Sequence, residues 1–312
     1  MWNGIDLRLL DDDTVGDAHA HFNRLRNTIM RLKRGNRSPD LGGIQTLDQL
    51  IVGNEGHACY HLYRVMGKVV ANFIDQPEWS GGKITPMMEV CLTDPMVYVT
   101  LGCHPHWAGD WNQECSRDLQ QAIQKLGDVK AIGECGLDKT LTLVNGTRKV
   151  RFVSWEDQKE CFKGQAEIAR RLNLPLVIHL RDAEEIGLNF LKLHLPRDWK
   201  LHRHCFRGTK EQYDEWMAVF PNTWWSLTAW ITGGRLTNDQ KLMIRTIQSD
   251  RLLLETDSPY FNPRGLHPAS QVSRPIHALL VARTLTEIRG GTLRDILSTT
   301  MRNLLDFYDP NA

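Results

Sequence analysis

Asp17-Ala18-His19-Ala20-His21 is a short stretch that closes on two histidines one residue apart. In an extended strand successive side chains point to opposite faces, so His19 and His21 project the same way and can reach one ion together. Two imidazoles do not complete a site, and histidine serves many roles. What decides the reading is whether other strands of the chain end in the same kind of residue.

Moving outward, the sequence predicts a regular alternation. Gly67 to Ile74 reads as a buried strand, Thr85 to Leu92 as a helix, Met96 to Leu101 as a strand and Asn112 to Leu126 as a helix. Val129 to Ile132 is the next strand, and Ser154 to Leu172 places Trp155, Phe162, Ala166, Ala169 and Leu172 at helical spacing. Strands at Leu176 to Ile178, Leu201 to Cys205, Thr223 to Leu227 and Leu252 to Leu254 alternate with helices at Asp182 to Leu193, Lys210 to Phe220 and Thr237 to Gln248. Two more helices follow, near Ser273 to Ile288 and Leu293 to Phe307. Eight short apolar strands, each followed by helical sequence, are the pattern of an α/β (β/α)8 TIM barrel. The competing open doubly wound sheet lacks its glycine-rich phosphate loop after the first strand.

With 312 residues and 41% hydrophobic content the chain can bury a sizeable core. Barrels of this kind run to about 250 residues or more as one unit, so a single domain over 1–312 is expected, with a basic insertion at about 22–64. A net charge of +1 excludes a broadly basic coat, so any polyanion must be held by a local patch. The densest basic run holds Arg24, Arg26, Arg31, Lys33, Arg34 and Arg37 with no acidic residue among them. It reads either as a solvated amphipathic helix or as a phosphate-contacting loop. Seven cysteines without a Cys-x-x-Cys pair argue against a disulfide framework and a thiolate zinc site. No apolar signal-peptide core lies in Met1 to Asp13 and no stretch approaches a membrane span. The expectation is an intracellular protein, cytoplasmic or nuclear and not secreted, with no membrane partner and no obligate protein partner.

In a barrel of this type the chemistry sits where strands end at the carboxyl face. His19 and His21 close the first strand, and Gly102-Cys-His104-Pro-His106 the third. Gly133-Glu134-Cys-Gly-Leu-Asp138 ends the fourth and His179-Leu-Arg181 the fifth. His202-Arg203-His204-Cys-Phe-Arg207 ends the sixth and Glu255-Thr-Asp257-Ser-Pro-Tyr260 the eighth. Buried ionisable groups are costly unless they pair or bind metal, so six such endings in one chain point to a metal site. Imidazole and carboxylate without thiolate suit Mg2+ or Mn2+, with Zn2+ or Co2+ as alternatives, and a carboxylate such as Glu134 can bridge two ions about 3.5 to 4 Å apart. Two such ions suit displacement at phosphorus, which also needs a carboxylate to take the proton of the attacking water. Asp257 is the candidate for that base.

With these residues laid out, the chain resembles the TatD-type metal-dependent deoxyribonucleases, and within them the eukaryotic TatD-domain-containing 2 branch. The resemblance runs from Asp17 to about Phe307 on the motifs DAHAHF, GCHPH, GECGLD, IHLRDA, HRHCFRG and ETDSPYF. It implies one metal among His19, His21, Glu134 and Asp257, and a second held by Glu134, His179 and His204. Hydrolysis of phosphodiester bonds in DNA is implied as well, with RNA tolerated, as a 3′-5′ exonuclease trimming single strands or 3′ ends, with Glu134 and Asp257 catalytic. His104, His106, Arg181 and Arg207 are expected to contact substrate, while His202, two residues before His204, either faces the same side of the strand or lies lower in the barrel behind the ligands. The loop after the first strand is longer and more basic than in bacterial members, and Arg207 stands where Ser or Thr is common; both add positive charge near the substrate path. Trp107, Trp230 and Tyr260 follow strand ends, where they can stack on bases or simply pack.

Two other functions are weighed against this one. An amidohydrolase-type enzyme acting on a small amide or ester commonly bridges its metals with a carboxylated lysine at the fourth strand, where this chain has Glu134. A catalytically inactive nucleic-acid-binding barrel would not need every ligand type to be present. Fold alone does not separate these readings.

Overall fold

Val15–Ala20 (β1) is buried along its whole length, as a parallel strand covered on both faces must be. The same holds for most of Met66–Phe73 (β2), Val97–Leu101 (β3), Val129–Asp138 (β4), Leu176–Arg181 (β5), Leu201–Arg203 (β6), Thr223–Leu227 (β7) and Leu252–Leu254 (β8). The computed structural model describes residues 13–34, 46–53, 64–142, 152–234, 236–263 and 272–311. Its strands form one eight-stranded sheet in chain order, β1 to β8. The pairings of β1 with β2, β3 with β4, and on through β6 with β7 are parallel. The Glu255 N–H donates to the Leu227 carbonyl, and Ala20 bridges Ser258 in the parallel sense, so β1 meets the end of β8 and the sheet closes as a (β/α)8 barrel.

The described helices are Phe22–Arg34 (α1), Leu47–Ile51 (α2), Gln76–Trp79 (α3), Pro86–Thr93 (α4), Gln113–Leu126 (α5) and Trp155–Leu172 (α6). They continue with Glu184–His194 (α7), Lys210–Val219 (α8), Asn238–Thr246 (α9), Ala278–Arg289 (α10) and Leu293–Tyr308 (α11). Among the described residues no helix is long and apolar enough to cross a membrane.

The chain divides into two compact units, one of 1–71, 94–97 and 226–312, the other of 72–93 and 98–225. In the first, α11 packs along β1 and β8, and a Cβ at Gly16 would press on Leu304 at 2.8 Å. The Tyr308 hydroxyl donates to the Ala18 carbonyl at 3.3 Å, tying α11 to the strand that carries His19. In the second unit α6 covers β4 with two buried glutamines seven residues apart, which puts both on one helix face. The Gln165 amide pairs with both backbone groups of Cys103, accepting at 2.7 Å and donating at 3.0 Å. Gln158 does the same for Asp138, at 2.7 and 3.2 Å. Each side chain thus stands in for a neighbouring strand and satisfies backbone groups that the sheet leaves over.

Most elements lie within two residues of their expected limits, and three differences bear on the site. The basic run after β1 begins as a helix, because Phe22, Leu25 and Ile29 fall on one buried face. Arg37, 35–45 and 54–63 of the expected insertion lie outside the described residues, as do the side chains of Lys33 and Arg34. The fourth strand runs on to Asp138 rather than stopping at Ile132, so Glu134 and Asp138 stand on strand backbone. At Gly136, with φ 150°, a Cβ would overlap the His179 carbonyl oxygen, so only glycine lets β4 and β5 approach this closely. The sixth strand stops at Arg203 instead of Cys205, and Cys205 turns the chain with φ 47°.

Candidate active site

In the first unit β1 and the segment after β8 build a cluster largely from backbone. The His21 N–H donates to the Ser258 carbonyl at 2.8 Å and the Asp257 N–H to the His19 carbonyl at 2.9 Å. Asp17, fully buried, accepts from the Thr256 N–H at 2.8 Å, the Thr256 hydroxyl at 2.6 Å and the His19 N–H at 3.2 Å. Burial pushes the Asp17 carboxyl well up against these bonds, and the nearby Glu255 charge pushes the same way. The latch seats the strand so that His19 and His21 face one side, as the two-residue period requires, with their Nε2 atoms 3.3 Å apart. Asp257 Oδ1 lies 3.0 Å from His21 Nε2 and 3.9 Å from His19 Nε2. The three residues are buried, Asp257 least so at 8% exposed.

In the second unit one carboxylate oxygen gathers three imidazoles. Glu134 Oε1 lies 2.5 Å from His179 Nδ1, 3.3 Å from His204 Nε2 and 3.7 Å from His104 Nε2. Burial alone would raise the Glu134 carboxyl, but His204, His179 and His104 together outweigh it and hold it well below the usual carboxylate range. His179 also faces Asp138, whose Oδ2 is 3.6 Å from its Nε2. Burial opposes a proton on His179, yet Glu134 and Asp138 push its pKa up to about 9. Asp138 is held low in turn, since His179 and the Thr140 N–H and hydroxyl, at 2.8 and 2.6 Å, outweigh its burial.

The tautomer of His104 separates it from its neighbours. Its Nδ1 accepts the His106 backbone N–H at 3.0 Å, so the neutral ring carries its proton on Nε2, toward Glu134. His104 therefore offers an N–H donor to an anion there rather than a lone pair to a metal. His106 is exposed and stacks on the His104 ring at 4.5 Å.

Both clusters fit divalent ions by the chemistry of their donors. Donor atoms of His19, His21 and Asp257 lie within 4.8 Å of one another, and Glu134 Oε1 is 2.5 Å from His179 Nδ1 and 3.3 Å from His204 Nε2. The sets hold nitrogen and carboxylate oxygen with no thiolate, which suits Mg2+, Mn2+, Co2+ or Zn2+.

A model described as TatD related DNase matches residues 17–309. The chain belongs to the TatD family. A human relative named 3′-5′ RNA nuclease TATDN2 is 32% identical over 224 residues, covering 71% of this chain and 28% of that protein. The 3′-5′ ssDNA/RNA exonuclease TatD of Pectobacterium atrosepticum is 32% identical over 206 residues, 65% of this chain and 75% of that one. This chain therefore spans less than a third of its human relative and about three quarters of the bacterial one. Two solved structures share the fold. The TatD homologue YJJV of Escherichia coli has a TM-score of 0.68 at 22% identity, covering 95% of this chain and 98% of that one. A TatD family hydrolase of Entamoeba histolytica has 0.71 at 16%, covering 96% and 99%.

In this TatD chain, His19, His21 and Asp257 come together in one cluster, and Glu134, His179 and His204 in another. Arg181 and Arg207 are exposed, and His202 is fully buried on β6 in register with Val177 and Trp224. Tyr260 is 47% exposed, lies edge-on to His21 at 6.1 Å and receives a 3.4 Å hydrogen bond from Arg24 of α1. Trp107 is half-buried and donates to Asp75 at 2.9 Å, while Trp230 is half-buried in the turn after β7. Sequence reasoning passed over Asp138, Asp17 and the two glutamines. Asp17 and Asp138 stand inside quoted motifs, whereas nothing in the helical pattern of α6 marks Gln158 and Gln165 as backbone partners.

Proposed function

We propose that the chain is a metal-dependent nuclease that hydrolyses phosphodiester bonds of single-stranded DNA or RNA from the 3′ end. The observation that carries this reading is the pair of buried imidazole and carboxylate clusters at strand ends in a TatD-family chain. The names of the human and bacterial relatives support the substrate class.

His19, His21 and Asp257 would hold one ion, and Glu134, His179 and His204 another. When bound, divalent ions supply positive charge for the phosphoryl and leaving oxygens and lower the pKa of water, with Mg2+ or Mn2+ the best match to substrates rich in phosphate. Asp257 takes the proton of the attacking water, since its carboxylate is the least buried of its cluster. His104 donates a hydrogen bond from its Nε2–H to a non-bridging phosphate oxygen. Arg181, Arg207 and the exposed His106 hold phosphates, as do Arg24 and Arg31 of α1, and Tyr260 offers a face to a base.

The test is to incubate the protein with end-labelled single- and double-stranded DNA and RNA in Mg2+, Mn2+ or chelator and to resolve the products. A metal-dependent ladder that shortens from the 3′ end is expected. Intact strands in both metals would overturn the reading, and an unchanged ladder in chelator would remove the metals from it.

A further inference from the structure

Arg203 lies between His202 and His204 yet points away from the ligands, and it is 2% exposed. A buried guanidinium is costly unless all of its donors are satisfied. Here Nε donates to Glu184 Oε2 at 3.2 Å and Nη2 to Glu184 Oε1, the first residue of α7. Nη2 also donates to the Leu180 carbonyl at 2.8 Å, while Nη1 donates to the carbonyls of Ile178, at 3.5 Å, and His204. The five N–H groups of an arginine thus meet five acceptors.

Those acceptors follow from strand lengths. β5 has six residues and β6 has three, with Ile178 aligned on Arg203, so β5 runs on after its partner has turned away at Cys205. The Leu180 carbonyl then lacks a ladder donor, and the guanidinium supplies one. Ile178 and Leu180 flank His179, and the third carbonyl belongs to His204 itself. One rigid fork therefore holds the backbone on both sides of one candidate ligand and at the other.

We propose that Arg203, braced by Glu184, is a positioning residue that sets His179 and His204 for the ion of the Glu134 cluster. The inference rests on the two-cluster reading above for the ion, but not for the histidine geometry. Lysine keeps the charge and can still pair with Glu184, but it lacks the planar fork and cannot serve five acceptors. Support from behind a ligand typically sets metal affinity by 10- to 100-fold.

The experiment measures Mn2+ binding to the full chain by calorimetry, together with 15N shifts of the histidine rings in metal-free protein. Wild type, Arg203→Lys and the charge-neutral pair Arg203→Met with Glu184→Gln are compared, the last guarding against a fold lost to a single buried charge. Expected is a loss of at least about 10-fold in affinity at one of two Mn2+ sites, with the other unchanged, and ring shifts confined to His179 and His204 and their contacts. A His19→Ala control should lose the opposite site. If both variants bind Mn2+ and show ring shifts as wild type does, Arg203 is a structural ion pair only and the proposal falls. It falls equally if His19 and His21 shift as much as His179 and His204. Failure of wild type to bind Mn2+ would refute the metal reading separately, while the ring shifts would still decide the positioning role.

Discussion

The two clusters use the same donor chemistry and are built in opposite ways. His19, His21 and Asp257 are seated by backbone hydrogen bonds between β1 and the segment after β8, locked by the Asp17 to Thr256 latch. His104, Glu134, His179 and His204 come from β4, β5 and the segments just after β3 and β6, and are held by side chains that reach in from behind, namely Gln165, Asp138 and Arg203. The electrostatics differ accordingly. Glu134 is enclosed by three imidazoles and held ionised, whereas Asp257 contacts two and keeps an edge toward solvent. An enclosed carboxylate is fitted to hold charge in place, and a partly open one to exchange a proton with water.

Substituting Glu134 tests the enclosed side most severely. Glu134→Ala should lower nuclease turnover by about 10^3-fold or more, since it deletes a buried charge around which three imidazoles are arranged. Hydrolysis of an end-labelled strand at near wild-type rate would show that the second cluster is not catalytic. On the open side, Asp257→Asn should cost about 10^2- to 10^4-fold in kcat with substrate affinity little changed. Matched losses in kcat and in affinity, read by steady-state kinetics and a binding titration, would return Asp257 to a plain ligand role.

Asp138→Asn asks whether the second cluster depends on support from behind. Mn2+ affinity should fall by about 10- to 100-fold at one site while the other is unmoved, as measured by calorimetry. Equal binding would mean that Asp138 only caps Thr140. The smallest effect is expected beside the first cluster, where Arg24 meets Tyr260. Replacing Arg24 and Arg31 with Gln should reduce the slope of log affinity against log salt by about 0.7 for each phosphate of a single strand that these side chains neutralise. An unchanged slope would make α1 an ordinary solvated helix.

Much of the first cluster was legible in the sequence, because His19 and His21 are two residues apart and the two-residue period of a strand is a local property. The basic run was not, since its residues suit a helix or a loop, and the burial of Phe22, Leu25 and Ile29 decided for the helix. In the second cluster the residue types were legible but their division of labour was not. His104 and His179 end strands in similar motifs, yet a backbone N–H onto one ring nitrogen makes His104 a donor, while two carboxylates flank His179. Arg203 reads as one more polar residue in a histidine-rich motif until its guanidinium is seen to meet the carbonyls of Ile178, Leu180 and His204.

By itself the sequence determined the alternation of strand and helix, the chemistry available at each strand end and the family to which they belong. Periodicity and side-chain type are carried within a few residues, so they survive in one dimension. Only the tertiary structure decided which nitrogen faces which carboxylate, which carboxylate is enclosed, and which buried side chains hold the ligands from behind. Those outcomes depend on contacts such as Asp17 to Thr256, 239 residues apart, and on where one strand ends while its neighbour continues.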